Sequence, residues 1–432
     1  MAGPVLLGGI DVFHLANDRA MRSRGLAGNH CAFVIEVEGR LDREALEARL
    51  AHAVKVVPEL SWRLESPLLG RPRWAPDPTR PPPAVGLHAI ARPEDLFTQI
   101  EALLAQRVGD DRPWALDIVR DPTRDAAIFR WFHPLADGKA GERLVRWLGS
   151  GSGALPDDPP PEAERFQVSE RPIAALSRDD RLALMRAYNR HIMELGRTPI
   201  LSLERLSPRR ASAGATRIFR VALTLDETRA FDLRVRKQAK LAETSVMVIA
   251  AARIADAAMV RRGYAPPHHL VPVPLSLDPK VGATRMFGNH LTMMMFSLDR
   301  EDLRDEARAI GRLAEQQRAV VRQKLDLGMI AALDFARYLP TAPYRWLSTR
   351  PFGGEMGSFI FSNPGAVTLD TFAGLPVRDA YPVPTVVLPP GFQVIFTRFA
   401  GRLSAWIMTV DAVIGADEAR GMADELRADL LR

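Results

Sequence analysis

One cysteine in 432 residues, Cys31, excludes an intrachain disulfide framework and fits a reducing, cytoplasmic setting. It opens the apolar run CAFVIEV, where core packing is its expected use. Long hydrophobic runs are lacking too. The longest, Ser245–Val260, is broken by Arg253 and Asp256 and falls short of the ~18 uncharged apolar residues of a membrane-spanning helix. The opening MAGPVLLGGIDVFHLA has no basic segment and is interrupted by Asp11, which argues against a signal peptide. A soluble chain with at most peripheral membrane contact is expected. No basic stripe interleaved with aromatics is present, so no nucleic-acid partner is expected. The adjacent His268 and His269 have no carboxylate or cysteine at ligand spacing, so no metal site is expected. A serine or cysteine nucleophile elbow is missing as well.

What is present is 47% hydrophobic and 25% charged residues, ordinary for a folded globular protein. The length exceeds a single hydrophobic core. It predicts two halves, 1–150 and 213–432, joined by a linker and crossover helix over 151–212. The net charge of +6 suits acidic partners such as phosphates, an acidic protein or an anionic membrane surface.

The chain is organised around Ala127–Gly149, AIFRWFHPLADGKAGERLVRWLG. Ile128–Phe132 reads as a buried strand and His133 to Asp137 as a tight turn. Ala140, Leu144, Val145 and Leu148 recur at helical spacing from about Gly138 onward. An imidazole at the end of a buried strand is held by the sheet yet can face a cleft. There it titrates near neutrality and can take a proton from a hydroxyl or amine. A core histidine capping the strand gives the same pattern. Gly138, directly after Asp137, predicts a turn that another segment approaches closely.

Around this stretch, residues 1–30 read either as a loop and turn or as an element near the site. Cys31–Val37 is a predicted strand, Glu38–Arg40 a turn and Asp42 a helix cap; Leu46, Leu50, Val54 and Val57 mark one helix face, ended by Pro58. Trp62–Glu65, Pro72–Ala75 and Trp114–Val119 read as strands, Pro76–Pro83 as a loop and Asp95–Gln106 as a helix. GSGSG at Gly149–Gly153 runs into prolines and reads as a flexible linker rather than a phosphate loop. A capping box at Ser177–Asp180 starts a helix for which Gly196 is the C′ residue. The second half restarts the same grammar. Arg217–Leu223 is a strand, Asp226 caps a basic helix, and Thr244 caps the apolar helix Ser245–Val260. The basic run Arg205, Arg209, Arg210, Arg217, Arg220, Arg234, Arg236, Lys237 and Lys240 reads as a solvated face or a surface for phosphates. Phe392–Val410 holds two strands turning at Ala400–Leu403, and a helix follows within Asp411–Leu431.

His133-Pro-Leu-Ala-Asp137-Gly138 resembles the second half of the HHxxxDG signature of the thioester-dependent acyltransferase superfamily. That superfamily includes chloramphenicol acetyltransferase, peptide-synthetase condensation domains and wax ester synthase/diacylglycerol acyltransferases. Phe132 stands where its first histidine would be. Glu38-Gly39-Arg40-Leu41-Asp42, with Val57-Pro58-Glu59-Leu60, resembles its opening unit. Gly8–Asp11 is loosely similar to its N-terminal element near the channel. Pro272-Val273-Pro274-Leu275 and Gly288-Asn289 resemble the wax ester synthase-like pattern. Ser362-Asn363-Pro364-Gly365 resembles a loop beneath the channel, shortened by one residue. Ser276 stands where relatives often carry an arginine that pairs with the signature aspartate, and Arg285 is the candidate replacement.

The resemblance implies an α/β fold of two chloramphenicol-acetyltransferase-like mixed-sheet halves with an active-site tunnel between them. It implies His133 as the base, Asp137 as a structural residue and Gly138 as a clear helix start. Phe132, Gly288, Asn289, Ser362 and Asn363 would lie against substrate, and Met293–Met295 would be core or a flexible channel wall. The implied reaction moves an acyl group from a thioester, on coenzyme A or a carrier protein's phosphopantetheine, to a hydroxyl acceptor. No tightly bound cofactor is implied, and any carrier protein would be a separate partner. Amide formation on an amine acceptor is the runner-up. A non-catalytic binding module that kept the fold is the rival from another class.

Overall fold

HCAFVIEV and DAAIFRWF, two strongly apolar runs, lie side by side in the first sheet and are buried along their full length. Their side chains alternate between two cores, as the two-residue period of a strand requires. Ala32, Val34, Ala126 and Ile128 face one core; Cys31, Phe33, Ile35, Ala127, Phe129 and Trp131 face the other. The computed structural model describes residues 3–432 save 68–69, 78, 152–154, 208–213, 240–242 and 280.

In chain order the first half comprises β1 (Val5–Leu6), α1 (Gly9–Ser23), β2 (His30–Val37), α2 (Arg43–Val56), β3 (Trp62–Glu65), β4 (Arg73–Pro76) and β5 (Gly86–Ala89). It continues with α3 (Leu96–Leu104), β6 (Trp114–Arg120), β7 (Asp125–Phe132) and α4 (Gly138–Gly149). The crossover carries the one-turn α5 (Glu162–Arg165) and α6 (Arg178–Leu195). The second half opens with β8 (Thr216–Ala222), α7 (Leu225–Ala239), α8 (Glu243–Arg261), β9 (His268–Ser276) and β10 (Leu291–Asp299). Three helices follow: α9 (Glu306–Arg322), α10 (Leu325–Ala336) and α11 (Thr341–Thr349). The chain ends with β11 (Ile360–Val367), β12 (Thr371–Phe372), β13 (Leu375–Pro382), β14 (Phe392–Phe399), β15 (Arg402–Val410) and α12 (Ala416–Leu431).

The result is the expected α/β architecture of two mixed sheets flanked by helices. The first sheet has order β12-β13-β2-β7-β6-β5 and the second β11-β14-β15-β8. Each contains one parallel pair, β5 with β6 and β11 with β14. Strands β12 and β13 come from the second half of the chain yet extend the first sheet through β2, so the boundary at residue 213 does not separate the sheets. Helix α8 is buried over most of its surface, which explains its nearly uniform apolar composition. No described helix is long and apolar enough to cross a membrane.

Several local expectations change. Residues 9–23 form a helix rather than a loop and turn. Thr224, not Asp226, caps α7: Glu227 N donates to its hydroxyl at 3.2 Å, and its own N–H donates to the Glu227 carboxylate at 2.8 Å. Thr244 lies inside α8 and accepts from Asn363 at 3.1 Å. Gly196 has an ordinary φ of −79°; it is required because a Cβ there would meet the Pro351 carbonyl oxygen at 2.1 Å. In the basic run, Arg217 pairs with Glu101 and Asp411, and Arg220 with Asp379, so neither is a free phosphate ligand. Arg209, Arg210, Lys240 and the tip of the GSGSG segment lie outside the described residues.

Candidate active site

β7 ends at Phe132, and a single 3-10 turn follows over His133–Leu135, with Pro134 near its start. Asp137 then caps α4, its carboxylate accepting from Ala140 N at 2.9 Å. His133 is therefore held at a junction between a rigid strand and a capped helix. Its backbone is clamped from both sides. Its N–H donates to the Asn29 carbonyl at 3.1 Å, and its carbonyl accepts from Asn289 Nδ2 at 2.9 Å. Asn29 precedes β2, whereas Asn289 comes from the second half of the chain.

The His133 Nδ1 is buried and has no hydrogen bond of ordinary geometry, although the Asn289 side chain and the residue's own carbonyl lie close enough to act on the ring. Its ring stacks on His14 of α1, with centroids 3.5 Å apart and planes 14° from parallel. Burial lowers the His133 pKa below its ordinary value; its own carbonyl, Asp137 and Asn289 act in the opposite sense. Burial also lowers His14 strongly, and His133 adds to that effect.

Asp137 does not hydrogen-bond the His133 ring. Its Oδ2 accepts from Arg285 Nη2 at 2.8 Å and from His290 N at 3.0 Å. Arg285, 2% exposed, also binds Asp278 through Nε at 2.9 Å and Nη2 at 2.7 Å. Asp278 in turn receives Arg143 at 2.7 Å and faces His290 Nδ1 at 3.0 Å. Burial by itself would raise the Asp278 carboxyl, but His290, Arg285 and Arg143 outweigh it and hold the group well below the usual range. The place of the missing arginine at Ser276 is thus filled from the loop between β9 and β10, which closes where Leu277 N meets the His290 carbonyl at 3.0 Å.

The same loop stitches the halves together. Gly288 N donates to Leu135 O at 2.7 Å, and Gly288 O accepts from Asp137 N at 3.3 Å. Gly288 has φ +80°, and a Cβ would lie 2.1 Å from the Gln167 carbonyl oxygen, so no other residue fits. Asn289 is fully buried and spans two acceptors, the His133 carbonyl and Asp11 Oδ1 at 2.8 Å.

Other expected site residues lie differently. Phe132 is fully buried, edge-on to Trp74, in the first-half core. A Cβ at Gly138 would meet open space, so no protein segment crowds it, contrary to the close approach expected there. Ser362 and Asn363 belong to β11, at an irregularity in its pairing with β14. Asn363 binds Thr244 rather than any residue of the His133 cluster. His269 faces Asp256 at 3.2 Å, which also binds Arg300. Two surface cavities, of about 290 Å³ beneath Pro81–Ala84 and about 350 Å³ beside Arg205 and Pro389, are lined by neither histidine of the stack.

Sequence reasoning missed His14, Asn29 and the role of Asp11. A signal was there: Asp11, His14 and Asp18 recur at three- and four-residue steps and therefore share one face if the segment is helical. Asp18 accepts from Asn29 N at 2.9 Å, and so places the residue that touches both histidines.

Burial, with Glu170 nearby, raises the Asp11 carboxyl to about 7, against the pull of Asn289 and Gly8 donors. Between the ordinary 3.8 and about 7, the folded chain holds a proton that the unfolded chain releases. Stability should therefore fall as pH rises through that window, with a slope of up to about 1.4 kcal/mol per pH unit from this group. Asp11→Asn keeps an oxygen for Asn289 and should remove that slope. Urea midpoints measured across the window would check it, and an unchanged slope would exclude Asp11 as the titrating group.

The chain matches no family model, and no curated protein matches it at a significant level. Solved structures do. The first condensation domain of the calcium-dependent antibiotic synthetase, in complex with a substrate analogue, superposes with TM-score 0.68 at 16% identity, over 100% of this chain and 97% of that one. The trichothecene 15-O-acetyltransferase of Fusarium sporotrichioides gives TM-score 0.68 at 13% identity, over 99% and 95%. The wax ester synthase/diacylglycerol acyltransferase of Marinobacter aquaeolei VT8 gives 0.60 at 14%, over 99% and 100%. The likeness runs nearly the full length of these structures, and this chain has the two-lobed fold of condensation domains and their acyltransferase relatives.

Proposed function

We infer that the protein is an acyltransferase that takes an acyl group from a thioester and passes it to a hydroxyl acceptor, with His133 Nε2 as the base. One observation carries the reading. His133 is clamped by backbone bonds to both halves of the chain, while its buried Nδ1 has no hydrogen bond of ordinary geometry and Asp137 is occupied elsewhere. A ring kept neutral by burial has a lone pair to offer, and its position between the halves lets two substrates meet at one nitrogen. In the reaction, Nε2 removes the acceptor's proton as its oxygen attacks the thioester carbonyl carbon. The carbon–sulfur bond then breaks, and the same nitrogen returns the proton to the thiolate.

The donor would be acyl-CoA or an acyl group on a carrier protein's phosphopantetheine. The motif likeness to wax ester synthases supports the hydroxyl acceptor; an amine would use the same base. The test is thiol release from short to long acyl-CoAs and from a loaded carrier protein, each with alcohols and amines supplied separately. Acceptor-dependent release with an ester product is expected. An amide product would correct the acceptor, and no release from any thioester would leave a binding module as the better reading.

A further inference from the structure

Phe132 occupies the place of a paired histidine, yet His133 is not alone. His14 reaches it from α1, and the proton position on His14 follows from its neighbours. Asn29 Nδ2 lies 3.2 Å from the His14 carbonyl oxygen and 3.2 Å from His14 Nδ1. A carbonyl only accepts, so the amide must turn its NH₂ group this way. The same NH₂ then meets Nδ1, which must accept in turn. Neutral His14 therefore carries its hydrogen on Nε2, for which no hydrogen bond to a described residue is found. Asn29 is itself fixed, because its N–H donates to Asp18 at 2.9 Å and its carbonyl receives the His133 N–H.

We propose that His14 is the hydrogen-bond donor to the carbonyl oxygen of the acyl thioester. This rests on the acyltransferase reading and supplies what it lacks, a group to meet the charge that develops on oxygen. The stack brings together one imidazole that takes a proton and one that presents an N–H. As the acceptor oxygen bonds to the carbonyl carbon, the carbonyl π pair moves onto oxygen and the His14 N–H holds it. When the carbonyl re-forms, the carbon–sulfur pair leaves with sulfur and the proton returns from His133. The His14 proton is not transferred. A donor fixed before the reaction is worth more than one that must turn towards the charge. His14 is fixed by its ring stack and by Asn29.

Two variants and one spectrum test the proposal. His14→Phe keeps an aromatic ring on His133 and removes the donor. With a thioester and acceptor that the wild type turns over, its kcat should fall by about 10²–10³ with KM little changed. His14→Gln, which restores an N–H near the same reach, should recover part of the loss. A merely structural role for the stack predicts the reverse order, with Phe tolerated and Gln harmful. In full-length ¹⁵N-histidine-labelled protein near neutral pH, His14 should show a protonated Nε2 and a bare Nδ1. A hydrogen on Nδ1, or a His14→Phe enzyme at wild-type rate, would overturn the assignment and leave the acyltransferase reading intact. A wild type inert toward every thioester would remove both.

Discussion

His133→Ala is expected to lower acyl transfer by about 10²–10⁴-fold, the usual contribution of a positioned general base, while the fold survives. The hydrogen bonds that seat this residue are made by its backbone N–H and carbonyl, which alanine retains. What the variant loses from the fold is the ring stacked on His14, a contact worth about 0.5–1.5 kcal/mol. Thiol release and a urea midpoint on the same preparation separate the two effects. Loss of turnover with a nearly unchanged midpoint assigns the chemistry to the ring; turnover that survives removes His133 from the role. The pH profile gives a second check on the wild type. Burial lowers the His133 pKa, so the free base should dominate at neutrality and kcat/KM should be flat there. It should decline only as pH falls through a value below 6.5, where the imidazole takes up a proton and can no longer act as a base.

Arg285→Ala should have the largest effect on stability, about 3–5 kcal/mol, because it leaves a buried carboxylate without its charged partner. The loss falls mainly on Asp137. Asp278 keeps Arg143 and stays beside His290, whereas among the described residues Asp137 keeps only the backbone N–H groups of Ala140 and His290. The cap of α4 and the closure of the β9–β10 loop would loosen together, so turnover should fall even though Arg285 does not hydrogen-bond His133. Arg285→Lys keeps the charge but cannot span Asp137 and Asp278 with one planar fork, and should recover only part of the midpoint. An alanine variant that unfolds at the wild-type midpoint would show that the ion cluster carries none of the assigned stability.

The features legible in the sequence are those whose causes are local. A short apolar and aromatic run, a tight turn over His133 to Asp137 and helical spacing after it give Ile128–Gly149 correctly, apart from three more residues at the start of β7. Arg285 could be named as a candidate partner of Asp137 because a buried carboxylate demands one and Ser276 stands where relatives often carry an arginine. The features that stayed hidden depend on contacts far apart in sequence. Nothing in VFHLAND says that His14 meets a ring at position 133. Pro364 reads as a loop residue, yet β11 is an edge strand of its sheet, where a missing N–H is tolerated.

The exchange of β12 and β13 into the first sheet sets a timetable for biosynthesis. Val37 of β2 and Val377 of β13 are register partners whose positions differ by 340. At roughly 5–20 residues per second, a ribosome takes on the order of tens of seconds to deliver the second strand after the first. Until then β2, apolar and destined for complete burial, has one bare edge, the kind of edge that recruits foreign strands. A chain released or stalled before residue 375 would carry that edge permanently. Shortened translation products of this protein should therefore aggregate more readily than the full chain.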